Sequence, residues 1–174
     1  MKISQSVLGI AVFMLATAAF AEDAPRFQNQ VLTIPRVDTE DQAGRYQNAH
    51  FRLAEDGRWD LQAITEAQPA TVESSEILVV DSKPVQVFAK ISGYFPSGCY
   101  NLGSINVRRR GVDFFEVVVT QVQLQTVAFC TQALIPFSYT VPLDVYGLAA
   151  GTYRVFIHGN EHSFTLAADN NLPE

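Results

Sequence analysis

After residue 21 no stretch of the chain sustains helical spacing, and from residue 76 onward apolar and polar side chains alternate with period two through runs of Val, Ile, Phe, Tyr and Thr. That periodicity puts one face of each run in a core, so the chain must fold as sheets that cover one another. Over 84 to 92, Val85, Val87, Ala89 and Ile91 share a face while Gln86, Lys90 and Ser92 point away, which is a half-buried strand. Over 112 to 122, Val112, Phe114, Val118 and Val122 lie on one face and Phe115, Val117 and Val119 on the other. This strand should therefore be central and covered on both sides. Arg109-Arg110-Gly111 supplies the turn of a hairpin between 103 and 122, Gly taking positive φ without steric cost. A second hairpin spans 152 to 167, with Tyr153, Val155 and Ile157 set against Phe164 and Leu166 around His158-Gly159-Asn160-Glu161. With strands at 76 to 81 and 137 to 143 this makes about seven, the pattern of an all-β, Ig-like β-sandwich over 76 to 169. Tyr153, just after Gly151 at the head of a late strand, is placed to send its hydroxyl back to an upstream carbonyl as a tyrosine corner.

Residues 26 to 68 read differently. Val31, Leu32 and Ile34 precede Pro35, Tyr46 to Leu53 follow, and Asp56-Gly57 turns into Trp59 to Ile64. This predicts a small three-stranded β unit, which cannot bury two faces by itself and should pack on the sandwich or on another protein. Glu66 to Ser75, with Pro69, Thr71, Ser74 and Ser75 and few bulky apolar residues, reads as a linker.

Lys2, the apolar run Val7 to Leu15 and the sequence Ala19-Phe20-Ala21 before Glu22 and Asp23 form the pattern of a cleaved secretory signal peptide over 1 to 21. The apolar run is too short for a membrane span, which needs about 20 residues. The predicted address is the periplasm or the medium. There, Cys99 and Cys130, both beyond the leader, are expected to pair as a disulfide worth roughly 3 to 4 kcal/mol. The remaining chain is long enough to bury roughly 68 to 70% of its unfolded surface. A formal charge of -6 argues against nucleic acid as a partner, because that binding is driven by Lys and Arg displacing counterions.

From Lys83 to Asn170 the chain resembles a β-sandwich region of uncharacterised exported bacterial proteins. The likeness is carried by Gly98-Cys99, Cys130-Thr131-Gln132-Ala133-Leu134, Pro136-Phe137, Val141-Pro142-Leu143-Asp144-Val145, Gly147-Leu148, Gly151, Tyr153, Gly159, Phe164, Leu166 and Asp169-Asn170. Leu32-Thr33-Ile34-Pro35 with Tyr46, Asn48, Asp56-Gly57 and Trp59 is similar to a short β segment that recurs in such proteins. The resemblance implies export and fold, and no activity.

Several residue groups are candidates for chemistry. His158, Glu161 and His162 flank a turn and together offer Zn or Cu two imidazoles and a carboxylate, against the simpler reading of a solvated turn. His50, beside Asn48 in an alternating run, reads as a surface histidine. Asp38-Thr39-Glu40-Asp41 holds three carboxylates but lacks the regular ligand spacing of a calcium loop. Arg108, Arg109 and Arg110 are the one basic cluster and read as solubilising residues at a turn. The loop Tyr94-Phe95-Pro96-Ser97-Gly98-Cys99-Tyr100-Asn101 sets three aromatic rings around a segment that the disulfide should stiffen. Tyr94, Phe95 and Tyr100 are therefore the candidate ligand-binding residues, with capping of the core as the alternative. No G-x-S-x-G elbow, H-E-x-x-H helix or phosphate-cradling glycine loop occurs. The expectation is a non-catalytic exported binding or structural module with no cofactor and no metal, working on a protein or glycan of the cell envelope. A metal-dependent hydrolase and a peptidase inhibitor acting in the periplasm are the alternatives.

Overall fold

The computed structural model describes residues 24–125 and 129–172, so the predicted leader at 1–21 lies outside the described residues. Twelve strands are found there, all joined by loops and turns. Four form an N-terminal sheet in chain order: β1 (Arg26–Gln28), β2 (Val31–Val37), β3 (Tyr46–Leu53) and β4 (Trp59–Glu66). The remaining eight are β5 (Gln68–Pro69), β6 (Thr71–Val80), β7 (Gln86–Phe95), β8 (Tyr100–Arg110), β9 (Phe114–Gln123), β10 (Ile135–Leu143), β11 (Gly151–Ile157) and β12 (Asn160–Leu166). They make a β-sandwich. One sheet runs β10-β7-β6, and the other runs β12-β11-β9, with β8 along one side of β9 and β5 continuing the side that β11 occupies.

The alternation predicted for β7 and β9 is what closes the core. Val87, Ala89, Ile91 and Phe95 of β7 face Phe115, Val117 and Val119 of β9, with Phe137, Val155, Ile157 and Phe164 filling between them. Tyr153 stacks on Phe164 with ring centroids 5.2 Å apart. Its hydroxyl donates to the Ala149 carbonyl at 2.8 Å, the expected tyrosine corner. β9 is buried on both faces, Val118 and Thr120 included, as its two apolar faces predict. Its pairing with β11 is parallel, Phe114–Val117 beside Arg154–Ile157. The C-terminal segment is bolted down by Asn170. Its buried amide accepts from the Val85 N–H at 2.7 Å and donates to the carbonyls of Val85 and Val145, each at 2.9 Å.

Two local expectations are corrected. Glu66 to Ser75 is not a linker: Gln68–Pro69 pairs with β9, and Thr71 begins the ten-residue β6. Its Ser and Thr side chains are polar because β6 is an exposed edge, and exposure rather than absence of structure set the composition. The N-terminal unit has four strands, not three. Asn29 and Gln30 both take positive φ, 52° and 61°, and fold β1 back on β2. A Gln in that conformation is uncommon, so the sequence carries no clear signal for the turn.

The N-terminal sheet does pack on the sandwich, and it meets β8. A register shift in β8 between Leu102 and Ile105 frees Ser104, whose hydroxyl accepts from Gln47 Nε2 at 2.7 Å and from Asn106 Nδ2 at 2.9 Å. Gly44 lies against the Asn106 side chain so closely that a Cβ would sit 2.3 Å from it, and its φ is +62°. Both facts demand glycine at this junction.

Candidate functional site

The loop between β2 and β3 folds over the outward face of β9 and β11 and leaves a cleft of about 320 Å³. The loop is shaped by Asp38, which takes two bonds from Arg36, at 2.7 and 3.0 Å, and one from the Gly44 N–H at 2.6 Å. Burial pushes the Asp38 carboxyl upward, but these bonds and the charges of Arg36 and Arg108 outweigh it and hold the group below its usual range. Arg108 holds the loop to the sheet: its guanidinium pairs with Glu116 at 2.5 Å and donates to the carbonyls of Thr39 and of Glu40, the latter at 3.0 Å. One wall of the cleft is aromatic. Phe114 and Phe156, both half-buried, lie with ring centroids 4.9 Å apart. The guanidiniums of Arg110 and Arg154 stand 5.9 and 5.7 Å from the centroid of Phe114. Asp41, Gln42, His158 and Gly159 also line the cleft. The buried Nε2 of Gln42 has no hydrogen-bond partner among the described residues, and neither Asp41 nor Arg110 has an ion-pair partner there.

The strands that carry the aromatic wall lie in a stretch that is similar to a known domain family. Residues 89–166 match the ORF11 beta-sandwich domain. No curated protein and no solved structure matches the chain. The match to the ORF11 beta-sandwich domain spans fewer than half of the 174 residues. It includes Arg110, Phe114, Glu116, Phe156 and His158, whereas Asp41, Gln42 and Pro69 of the cleft lie outside it. The cleft is thus built jointly by the stretch that matches the ORF11 beta-sandwich domain and by residues N-terminal to it.

The residues expected to bind ligand are placed otherwise. Phe95 is 3% exposed, its ring 4.9 Å from that of Phe137 in the core, and is closed to any ligand. The reason is that β7 runs on through residue 95, so Phe95 takes the inward position of the alternation and Tyr94 the outward one. Tyr100 packs against the same core at the head of β8. Phe95 and Tyr100 therefore pack on the core of the sandwich while Tyr94 points outward, and the three rings do not converge. The disulfide is present: Cys99 and Cys130 join with Cα atoms 5.1 Å apart.

Arg108 is likewise not a solubilising residue, since its side chain is 13% exposed and committed to Glu116. The paired histidines diverge. His162 Nε2 meets Ser75 Oγ at 2.8 Å, while His158 turns into the sheet. Among the described residues no three His, Cys, Asp or Glu side chains are grouped to hold a metal ion. His50 is half-buried and bonds Thr33 across β2 and β3 at 3.0 Å. Nothing local in the sequence joins residues 38–42 to Phe114 and Phe156. The available signal was an aromatic at an outward position on two strands destined to be neighbours.

His158 does unexpected work in the sandwich. It and Gly159 form a two-residue turn, both at positive φ, and its Nε2 accepts the Val119 N–H at 2.7 Å. That amide falls between the stretch of β9 paired with β11 and the stretch paired with β5, so the imidazole stands in for a missing ladder partner. Burial lowers the His158 pKa below 6.5, and protonation would also cost the bond, because an imidazolium cannot accept. As pH falls below about 6.5 the unfolded chain therefore takes up this proton first. This contribution to stability is complete above that pH and is lost as pH falls toward the folded value. His158→Asn, which suits the turn but cannot reach the amide in the same way, should cost about 1 kcal/mol at pH 7.5 and flatten the acid limb of a urea-midpoint profile. An unchanged profile would contradict the role.

Proposed function

We propose that the chain is a non-catalytic exported binding module and that the cleft beside Phe114 and Phe156 holds a saccharide of the cell envelope. One observation carries this reading: a half-buried aromatic platform is bordered by the guanidinium of Arg110 and the carboxylate of Asp41, neither of which has an ion-pair partner among the described residues. The C–H face of a sugar ring stacks on such a platform, and its hydroxyl pairs suit a carboxylate and a guanidinium set beside it. The two groups best placed for proton transfer are already engaged, His158 by the Val119 amide and Glu116 by Arg108. That supports binding over catalysis. Export to the periplasm or medium is read from the leader pattern of residues 1 to 21 and agrees with the disulfide. The sandwich is read as Ig-like in its tyrosine corner and hairpins, with the parallel β9 and β11 pair as a departure.

Binding of envelope-derived oligosaccharides, measured on an array and by calorimetry, is expected to fall at least about tenfold in Phe156→Ala and in Asp41→Ala, both checked for fold by circular dichroism. Retained affinity in both variants, or no saccharide bound at all, would remove the proposal.

A further inference from the structure

We infer that the saccharide held in the cleft is zwitterionic, carrying a carboxylate that meets Arg110 and a free ammonium that meets Asp41. The inference rests on the saccharide reading above and adds to it the charges of the ligand. The other acids and guanidiniums that line the cleft or stand on its aromatic wall already face an opposite charge. Glu116 has Arg108, their side chains 12% and 13% exposed, and Arg154 reaches Asp113 at 3.9 Å. Asp38, which shapes the same loop, has Arg36. His158 lines the cleft as acceptor of the Val119 N–H, a role that requires its neutral form. Asp41 and Arg110 are what remain. Both line the cleft, both are exposed, and they form an ion pair neither with each other nor with any other described residue.

Two unspent charges of opposite sign in one cleft decide what a bound ligand must bring. A ligand seated against Phe114 and Phe156 takes water from Arg110, whose guanidinium stands 5.9 Å from the Phe114 centroid, and from Asp41. Removing water from a charge is unfavourable unless a partner replaces it. Sugar hydroxyls replace it in part. A carboxylate does so more completely at Arg110, because its two oxygens match the guanidinium fork. An ammonium does the same at Asp41, bringing donors and positive charge to a group that only accepts. A ligand with the acid alone leaves Asp41 unmatched and adds charge of the same sign beside it, and one with the amine alone treats Arg110 likewise. One group of each sign, on a sugar whose C–H face still rests on the rings, matches the cleft better than either by itself.

Calorimetry at neutral pH and low salt can compare a disaccharide of glucosamine and glucuronic acid with its N-acetyl derivative, its carboxyl-reduced derivative and the uncharged derivative with both changes. The zwitterion is expected to bind at least about tenfold tighter than either singly charged form, and added salt should shrink that margin. Asp41→Asn should erase the preference for the free amine and keep the preference for the carboxylate, and Arg110→Gln should do the reverse. Both positions are exposed, so neither change threatens the fold. Preferences that survive both substitutions would overturn the assignment to Asp41 and Arg110. Equal affinity for all four disaccharides, lowered alike by Phe156→Ala, would overturn the charge inference and leave the saccharide reading standing. No disaccharide bound, or alanyl-alanine, a zwitterion without a sugar ring, bound as tightly as the first of them, would overturn the saccharide reading and this inference with it.

Discussion

Replacing Cys99 and Cys130 together by Ser is expected to lower the unfolding free energy by roughly 3 to 4 kcal/mol, a loss of roughly 6 to 16 °C in Tm. The bond spans a sequence separation of 31 and ties the turn after β7 to the segment after β9. It is not the sole contact there. The Gly98 N–H donates to the Thr131 carbonyl at 3.1 Å and the Leu124 N–H to the Cys99 carbonyl at 2.8 Å. Those bonds hold the native geometry without the bridge, so the double variant should fold to the same sheets. Its penalty then belongs to the unfolded chain, which regains the freedom of the closed loop. Urea unfolding of the wild type and the double variant checks both points: the midpoint should drop and the slope m should rise, since the uncrosslinked chain exposes more surface. A loss below about 1 kcal/mol with m unchanged would mean that the bridge constrains little.

What the sequence disclosed, and what it hid, divides by range. The inward and outward positions of β7 and β9 were legible because a half-buried strand writes its burial every second residue, as in Val87, Ala89 and Ile91. The tyrosine corner was legible because Gly151 and Tyr153 are near neighbours of the Ala149 carbonyl. Phe95 was misplaced for a local reason: Pro96 and Gly98 advertise a loop, but the strand ends only at residue 95. Arg108 was misplaced for a long-range one. Read beside Arg109 and Arg110 it is one of three turn residues, whereas its partners at Thr39 and Glu40 come from a loop 69 and 68 residues earlier. His158 follows the same logic, because a turn residue announces its backbone and not that its ring will meet the Val119 amide 39 residues before it. The cleft shares this origin: Asp41 and Gln42 reach Phe114 and Phe156 only because the N-terminal sheet docks on β8.

That docking turns on Arg108, and Arg108→Ala is expected to cost about 3 kcal/mol, far more than a surface ion pair returns. The side chains of Arg108 and Glu116 are 13% and 12% exposed, so removing the guanidinium strands a carboxylate that water reaches poorly. It also leaves the carbonyls of Thr39 and Glu40 without their donor. Arg108→Lys should recover part of the loss, because an ammonium keeps the charge but lacks the fork that serves Glu116 and two carbonyls at once. Arg108→Met with Glu116→Met should recover more, since no charge remains to be stranded. A double-mutant cycle on the pair is therefore expected to give a coupling of about 1 to 3 kcal/mol. The same substitutions should act on the cleft, because Asp41 and Gln42 are positioned by the loop that Arg108 pins. Protease cleavage within residues 38–45 should accelerate in Arg108→Ala and return toward the wild-type rate in the double Met variant if carbonyl contacts matter less than the buried charge. An Arg108→Ala penalty under about 0.5 kcal/mol, with the loop still resistant, would show that Gln47, Ser104 and the Gly44 contact with Asn106 hold the two sheets together without it.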